Sequence, residues 1–95
     1  MVTYRLAPAA ESDLYRLWLY GVQQWGIEAA DNYQRDLHER FAAIAANPMQ
    51  YPAIDHIRSG YRRSVFRNNS IYYRIGSETV EIMAIIGQQH LDEWL

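Results

Sequence analysis

The sequence predicts an α+β fold: an N-terminal strand, an antiparallel helical hairpin, then a three-stranded antiparallel β-meander. Three observations predict it. Apolar residues recur at three- and four-residue steps through the first half of the chain and at two-residue steps through the second. The helical half is broken at Gly26 and closed at Asn47-Pro48. Two short turn signals, Asn68-Asn69 and Gly76-Ser77, divide the second half into three runs.

Each element has its own signal. Val2 to Leu6 reads as a short strand with Val2, Tyr4 and Leu6 on one face. Pro8 fits the first turn of a helix. Ala10, Leu14, Leu17, Trp18, Val22 and Trp25 then form one helical stripe, and Glu11 and Asp13 favour the positive end of the helix dipole. On this spacing both tryptophans belong to the core. A second helix is expected over Glu28–Ala46, with the stripe Ala30, Tyr33, Leu37, Phe41 and Ile44. So short a break between helices makes them antiparallel. Met49 to Ile57, with Pro52 inside it, reads as a loop with a short helical turn. Strands are expected over Tyr61–Arg67, Ser70–Ile75 and Thr79–Ile86. In the last, Val80, Ile82, Ala84 and Ile86 share a face. Tight turns between such runs give a meander, and one of its faces must cover the apolar stripes of the helices. Tyr72 and Tyr73, adjacent on a strand, point to opposite faces, so only one is expected in the core and the other on a contact face. Gly87 to Leu95 reads as a short amphipathic tail.

At 95 residues the chain has room for one domain, residues 1–95, with one core. A chain of this size buries roughly 60–65% of the surface its unfolded form exposes, so its stability is marginal and a permanent partner would raise it. There is no cysteine, which excludes disulfides and thiolate metal sites. The N-terminus has no signal-peptide pattern, and no apolar run approaches the length of a membrane span. The expectation is a soluble, cytoplasmic protein with no membrane partner.

Net charge is −2, but its placement is uneven. Residues 8–46 hold six acids (Glu11, Asp13, Glu28, Asp31, Asp36, Glu39) against Arg16, Arg35 and Arg40. Residues 54–75 hold Arg58, Arg62, Arg63, Arg67 and Arg74 against Asp55 alone, and the last twenty residues hold four acids and no base. The chain has no lysine, so every fixed cation is a guanidinium, a planar fork suited to carboxylates and phosphates at interfaces. Arg62 and Arg63 must face opposite ways. One shares a face with Ser64 and Phe66, the other with Tyr61 and Val65, and the sequence leaves open which is outward. The inward one is expected to pair with a helix acid.

No catalytic constellation emerges. His38, His56 and His90 lack metal-ligand spacing, the serines lack a nucleophile-elbow context, and the glycines make no phosphate loop. His38 reads as a solvated surface residue. No catalytic residue, metal or cofactor is expected.

The run Ile57-Arg58-Ser59-Gly60-Tyr61-Arg62-Arg63, followed by Ile71-Tyr72-Tyr73-Arg74 and Val80-Glu81-Ile82, resembles the ParE branch of the ParE/RelE toxin superfamily. Tyr4-Arg5-Leu6, Ala10, Asp13-Leu14, Tyr20, Trp25-Gly26, Ala29-Ala30 and Asn47-Pro48 extend the likeness over nearly the whole chain. The resemblance implies a type II toxin that binds DNA gyrase, stabilises its cleaved-DNA complex, and has no catalytic site of its own. It implies a ParD-like antitoxin, whose ribbon-helix-helix domain would bring the complex to its promoter, so that contact with DNA is indirect. On this reading Arg58, Tyr61, Arg62, Arg63 and Arg74, with the tail residues Leu91 and Trp94, form the antitoxin- or gyrase-binding surface. The rival RelE branch cleaves mRNA on the ribosome, and there His90 with Arg62 or Arg63 and Arg74 would serve the reaction. A pI near 5.8 and the absence of lysine count against that branch. A third reading is a degenerate toxin retained for antitoxin binding and operon control.

Overall fold

The computed structural model describes residues 3–87. Its elements are β1 (Tyr4–Leu6), α1 (Pro8–Trp25), α2 (Ile27–Ala46), β2 (Tyr61–Phe66), β3 (Asn69–Ile75) and β4 (Val80–Gly87). The architecture is the expected α+β one. The meander β2-β3-β4 is antiparallel, and β1 joins it alongside β4 in parallel, giving the sheet order β1-β4-β3-β2. Val2, expected in the first strand, lies outside the described residues.

The hairpin is sharp because one residue joins its helices. Gly26 adopts φ 95°, ψ 167°, a region open essentially only to glycine. It caps α1 through its N–H to the Val22 carbonyl and takes the first bond of α2 from the Ala30 N–H. Opposed contacts hold the helices antiparallel: Gly21 lies against Ala30, the Trp18 indole donates to Asp31, and the Gln34 amide donates to the Leu14 carbonyl. Gly26→Ala should lower stability by about 1–3 kcal/mol, read by urea denaturation, since a side chain at this φ is strained whatever the space around it.

The main core lies between the hairpin and one sheet face. Ala10, Leu14, Leu37, Phe41 and Ile44 of the helices meet Phe66, Ile71, Tyr73, Val80, Ile82 and Ile85 of the sheet. Trp25 is not part of it. That side chain is 69% exposed and packs edge-on against Tyr20, whereas the α1 residues that reach the core, Ala10, Leu14 and Leu17, all lie earlier in the helix. Trp18 is half-buried at the hairpin rim.

The opposite, outer face of the sheet is covered as well, which corrects the expectation for Tyr72 and Tyr73. Both are buried, on opposite faces. Tyr72 sits in a second cluster with Ile54, Ala84 and Ile86, flanked by Ile57 and Tyr61. The segment between α2 and β2 makes this possible by wrapping around the edge of β2. Tyr51 packs against the main core on the helix side, whereas Ile54 packs on the outer side. Between them the Pro52 carbonyl accepts the Arg63 N–H, and the Ile54 N–H donates to the Tyr61 carbonyl.

Two further expectations are corrected. The hairpin turn between β2 and β3 is Arg67-Asn68, not Asn68-Asn69, since Phe66 pairs with Asn69. Arg67 takes φ 53°, the positive φ that tight hairpin turns demand. The other correction concerns β4, whose four alternate apolar residues do not share one face. The register against β3 shifts so that Tyr73 opposes Ile82 and Tyr72 opposes Ala84. Met83 is thus an extra residue, a β-bulge. Val80 and Ile82 face the helices, and beyond the bulge Ile85 does so while Ala84 and Ile86 face outward. Asp13 of α1 reaches this point and accepts the Ile85 N–H at 2.9 Å. β1 has already turned into α1 there, so the carboxylate replaces a missing strand partner.

Candidate functional site

The sheet alternation places the arginines on two faces. Ser64 and Phe66 are buried toward the helices, so Arg62 lies on the helix side and Arg63 with Tyr61 and Val65 on the outer side. This resolves the choice left open by sequence. Arg62 is the inward residue, but it does not pair with a helix acid. Its guanidinium donates to the Tyr51 carbonyl at 2.6 Å, because the wrapping segment lies between it and the helices.

Arg62 also stands near Tyr73, whose hydroxyl donates to the Pro48 carbonyl at 2.6 Å. Burial pushes the Tyr73 hydroxyl up from 10.0 to about 12, against the opposing pull of Arg62. A raised value means that the folded state favours the neutral phenol. The stability it contributes, about 2–3 kcal/mol, is present below the ordinary tyrosine value of 10 and is lost as pH rises towards 12. An ultraviolet alkaline titration should show one tyrosine ionising late, together with unfolding. Tyr73→Phe should remove that late step.

On the outer face Arg5, Glu81 and Arg74 stand opposite one another across β1, β4 and β3. Glu81, with a side chain 14% exposed, accepts from Arg5 and, at 2.7 Å, from the Arg74 Nε. Its single negative charge is therefore shared by two cations, and Arg74 is half-neutralised rather than free. The Arg58 guanidinium lies 5.4 Å from the centre of the Tyr61 ring, a cation–π distance. Arg58, Tyr61, Arg63 and Arg74 are thus brought onto one side of the sheet. Leu91, Trp94 and His90 lie outside the described residues.

Three features escaped the sequence. His38 is half-buried, not solvated: its Nδ1 bonds the Tyr4 hydroxyl at 2.8 Å, and its ring packs edge-on against Phe41. Arg67 is drawn into the fold by Asp36 at 2.8 Å and lies over the rings of Tyr33 and Phe66. Arg40 seals the free edge of β2, donating to the Ser64 hydroxyl and the Val65 carbonyl. Helical spacing marked His38 and Arg40 only as polar positions, and nothing local signals their partners.

The hairpin also exposes large apolar side chains near its turn: Tyr20, Trp25 and Ile27 are each more than half exposed, and Tyr20 and Trp25 pack edge-on. Exposed aromatics so grouped mark an interaction surface more often than a solvated one.

A family model described as ParE toxin of the type II toxin–antitoxin system parDE matches residues 4–91. This chain belongs to the ParE toxin family. A ParE1 toxin of Caulobacter vibrioides is 36% identical over 88 residues, covering 93% of this chain and 91% of that one. A ParE1 toxin of Mycobacterium tuberculosis is 33% identical over 87 residues, covering 90% and 89%. A solved chain from a chromosomal ParDE system of P. aeruginosa superposes with a TM-score of 0.80 at 19% identity, covering 92% of this chain and 96% of that one, a likeness of fold. Among the described residues of this ParE-type toxin, no helix is long and apolar enough to cross a membrane.

Proposed function

We propose that this ParE-family toxin acts in the cytoplasm by binding DNA gyrase and stabilising its cleaved-DNA complex, without a catalytic step of its own. A ParD-like antitoxin of the ribbon-helix-helix type neutralises it and carries the complex to DNA. The observation that carries the reading, beyond family membership, is how the arginines of the meander are used. Arg74 is half-neutralised by Glu81 and Arg62 is turned inward to a carbonyl, whereas phosphate cleavage would need such cations converged on one scissile group. His38 is bonded to Tyr4 on the helix side of the sheet, away from Arg63 and Arg74. The outer side with Arg58, Tyr61, Arg63 and Arg74 is the docking surface for gyrase or for acidic antitoxin segments. The aromatic end of the hairpin is the surface an amphipathic antitoxin helix would cover. The expectation that a partner hides exposed aromatic residues therefore moves from the strands to the helices.

Pulse labelling after forced expression without antitoxin tests this. A gyrase poison stops DNA synthesis first and induces the DNA-damage response. A ribosome-dependent nuclease stops protein synthesis first. Early loss of protein synthesis with DNA synthesis intact would sink the proposal, and unimpeded growth would favour a degenerate toxin kept for antitoxin binding.

A further inference from the structure

The chain has nine basic residues, all arginine and all among the described residues. Arg5, Arg16, Arg67 and Arg74 make ion pairs. Arg35, Arg40 and Arg62 donate to neutral oxygens, and Arg58 lies over Tyr61. Among the described residues the Arg63 guanidinium alone has neither an acceptor nor a ring. It is half-buried, it lies opposite Tyr72 in the β2–β3 ladder, and its backbone N–H donates to the Pro52 carbonyl at 3.1 Å. Arg63 borders a shallow hollow of about 40 Å³, completed by Val65, Arg67, Asn68, Asn69 and Ser70. That is far below the roughly 300–1,000 Å³ of small-molecule pockets, and of the order of one carboxyl group.

We propose that Arg63 and its hollow bind the carboxylate of an acidic side chain on an extended partner segment, with an apolar side chain two residues away seated on Val65. A half-buried guanidinium with fixed backbone and no internal acceptor is pre-organised for a bidentate carboxylate. Arg63 and Val65 lie two apart on one strand face, so they match an acid-x-apolar pattern in an extended chain, where alternate residues are about 7 Å apart. Val65 is 58% exposed, which leaves apolar area to cover. The segment docks through side chains and does not add a strand, because Pro52–Ile54 and Arg40 already occupy the edge of β2. The chemistry favours a protein over a nucleic acid. Arg67, the second cation of the hollow, is already paired with Asp36, so the site offers one unpaired charge, whereas phosphate backbones are held by several. The inference rests on the toxin reading only for the source of such a segment, an acidic antitoxin.

The test is an NMR titration of the full chain, following the arginine Nε–Hε and Val65 methyl signals. Its probes are a capped peptide containing Glu-Ser-Leu, the same peptide with Gln for Glu, and a ten-nucleotide oligothymidylate. The Glu peptide should shift the Arg63 and Val65 signals and bind at least tenfold more tightly than the Gln peptide. Arg63→Gln should lose that difference, and Arg16→Gln on the hairpin should retain it. Unmoved Arg63 signals at millimolar Glu peptide, an equal response to the Gln peptide, or tighter binding of the oligonucleotide at these signals would overturn the proposal. Gyrase takes no part, so failure here leaves the gyrase reading standing, and failure of that reading leaves this site standing.

Discussion

Tyr72→Ala should lower the unfolding free energy by about 3–5 kcal/mol, the usual cost of truncating a buried aromatic residue. The expectation stems from the second core. Tyr72 is 1% exposed and enclosed by Ile54, Ala84 and Ile86, on the face that simple alternation would leave wet. The surrounding atoms come from separate elements of the chain, so the cavity would not collapse cheaply. Ile75→Ala, at an exposed strand end, should cost well under half as much. Urea denaturation of both variants decides it. A Tyr72→Ala cost below about 1 kcal/mol would mean that the wrapping segment does not seal the outer face.

Asp13→Ala should cost about 3 kcal/mol and act far from its own helix. The Asp13 carboxylate accepts the Ile85 N–H and pairs with Arg16, with a side chain only 14% exposed. Removing it takes away a charge-assisted bond and leaves a part-buried N–H unpaired beside the β4 bulge. Arg16→Ala removes only the exposed ion pair and should change stability by less than about 1 kcal/mol. Amide hydrogen exchange locates the damage: Ile85 and the β3–β4 ladder should lose protection in Asp13→Ala before the α1–α2 hairpin does. Uniform loss over both layers would mean that the Asp13–Ile85 bond has no local role in the β3–β4 ladder.

The legible part of this fold is what local pattern dictates. The helical stripes gave Leu14, Leu37, Phe41 and Ile44, Gly26 marked the hairpin, and the period-two runs marked the meander. The illegible part comes from residues whose partners are distant in sequence. Tyr72 is buried because the segment carrying Ile54 crosses a sheet edge, and no periodicity encodes such a crossing. One added residue, Met83, reverses the facing of the residues after it, so strict alternation misplaced Ala84 and Ile86. Trp25 fits the helical stripe, yet the core contacts of α1 stop at Leu17.

The site divides in the same way. The clustering of arginines between acidic flanks was visible in the sequence, as was the necessity that Arg62 and Arg63 diverge. Which of them points outward was fixed by the burial of Ser64 and Phe66, a tertiary fact. That Glu81 would hold Arg5 and Arg74 together depends on β1 lying parallel to β4, a pairing across 76 positions of sequence. The family likeness reached further than composition did, because it used the order of many small motifs rather than any one interaction.

The most direct measurement is a gyrase supercoiling and DNA-cleavage assay with purified antitoxin-free protein, run beside toeprinting on programmed ribosomes. A gyrase-binding toxin without catalysis of its own predicts inhibited supercoiling, accumulation of gyrase-linked cleaved DNA, and intact mRNA. Undisturbed supercoiling with cleavage of mRNA in the ribosomal A site would contradict it.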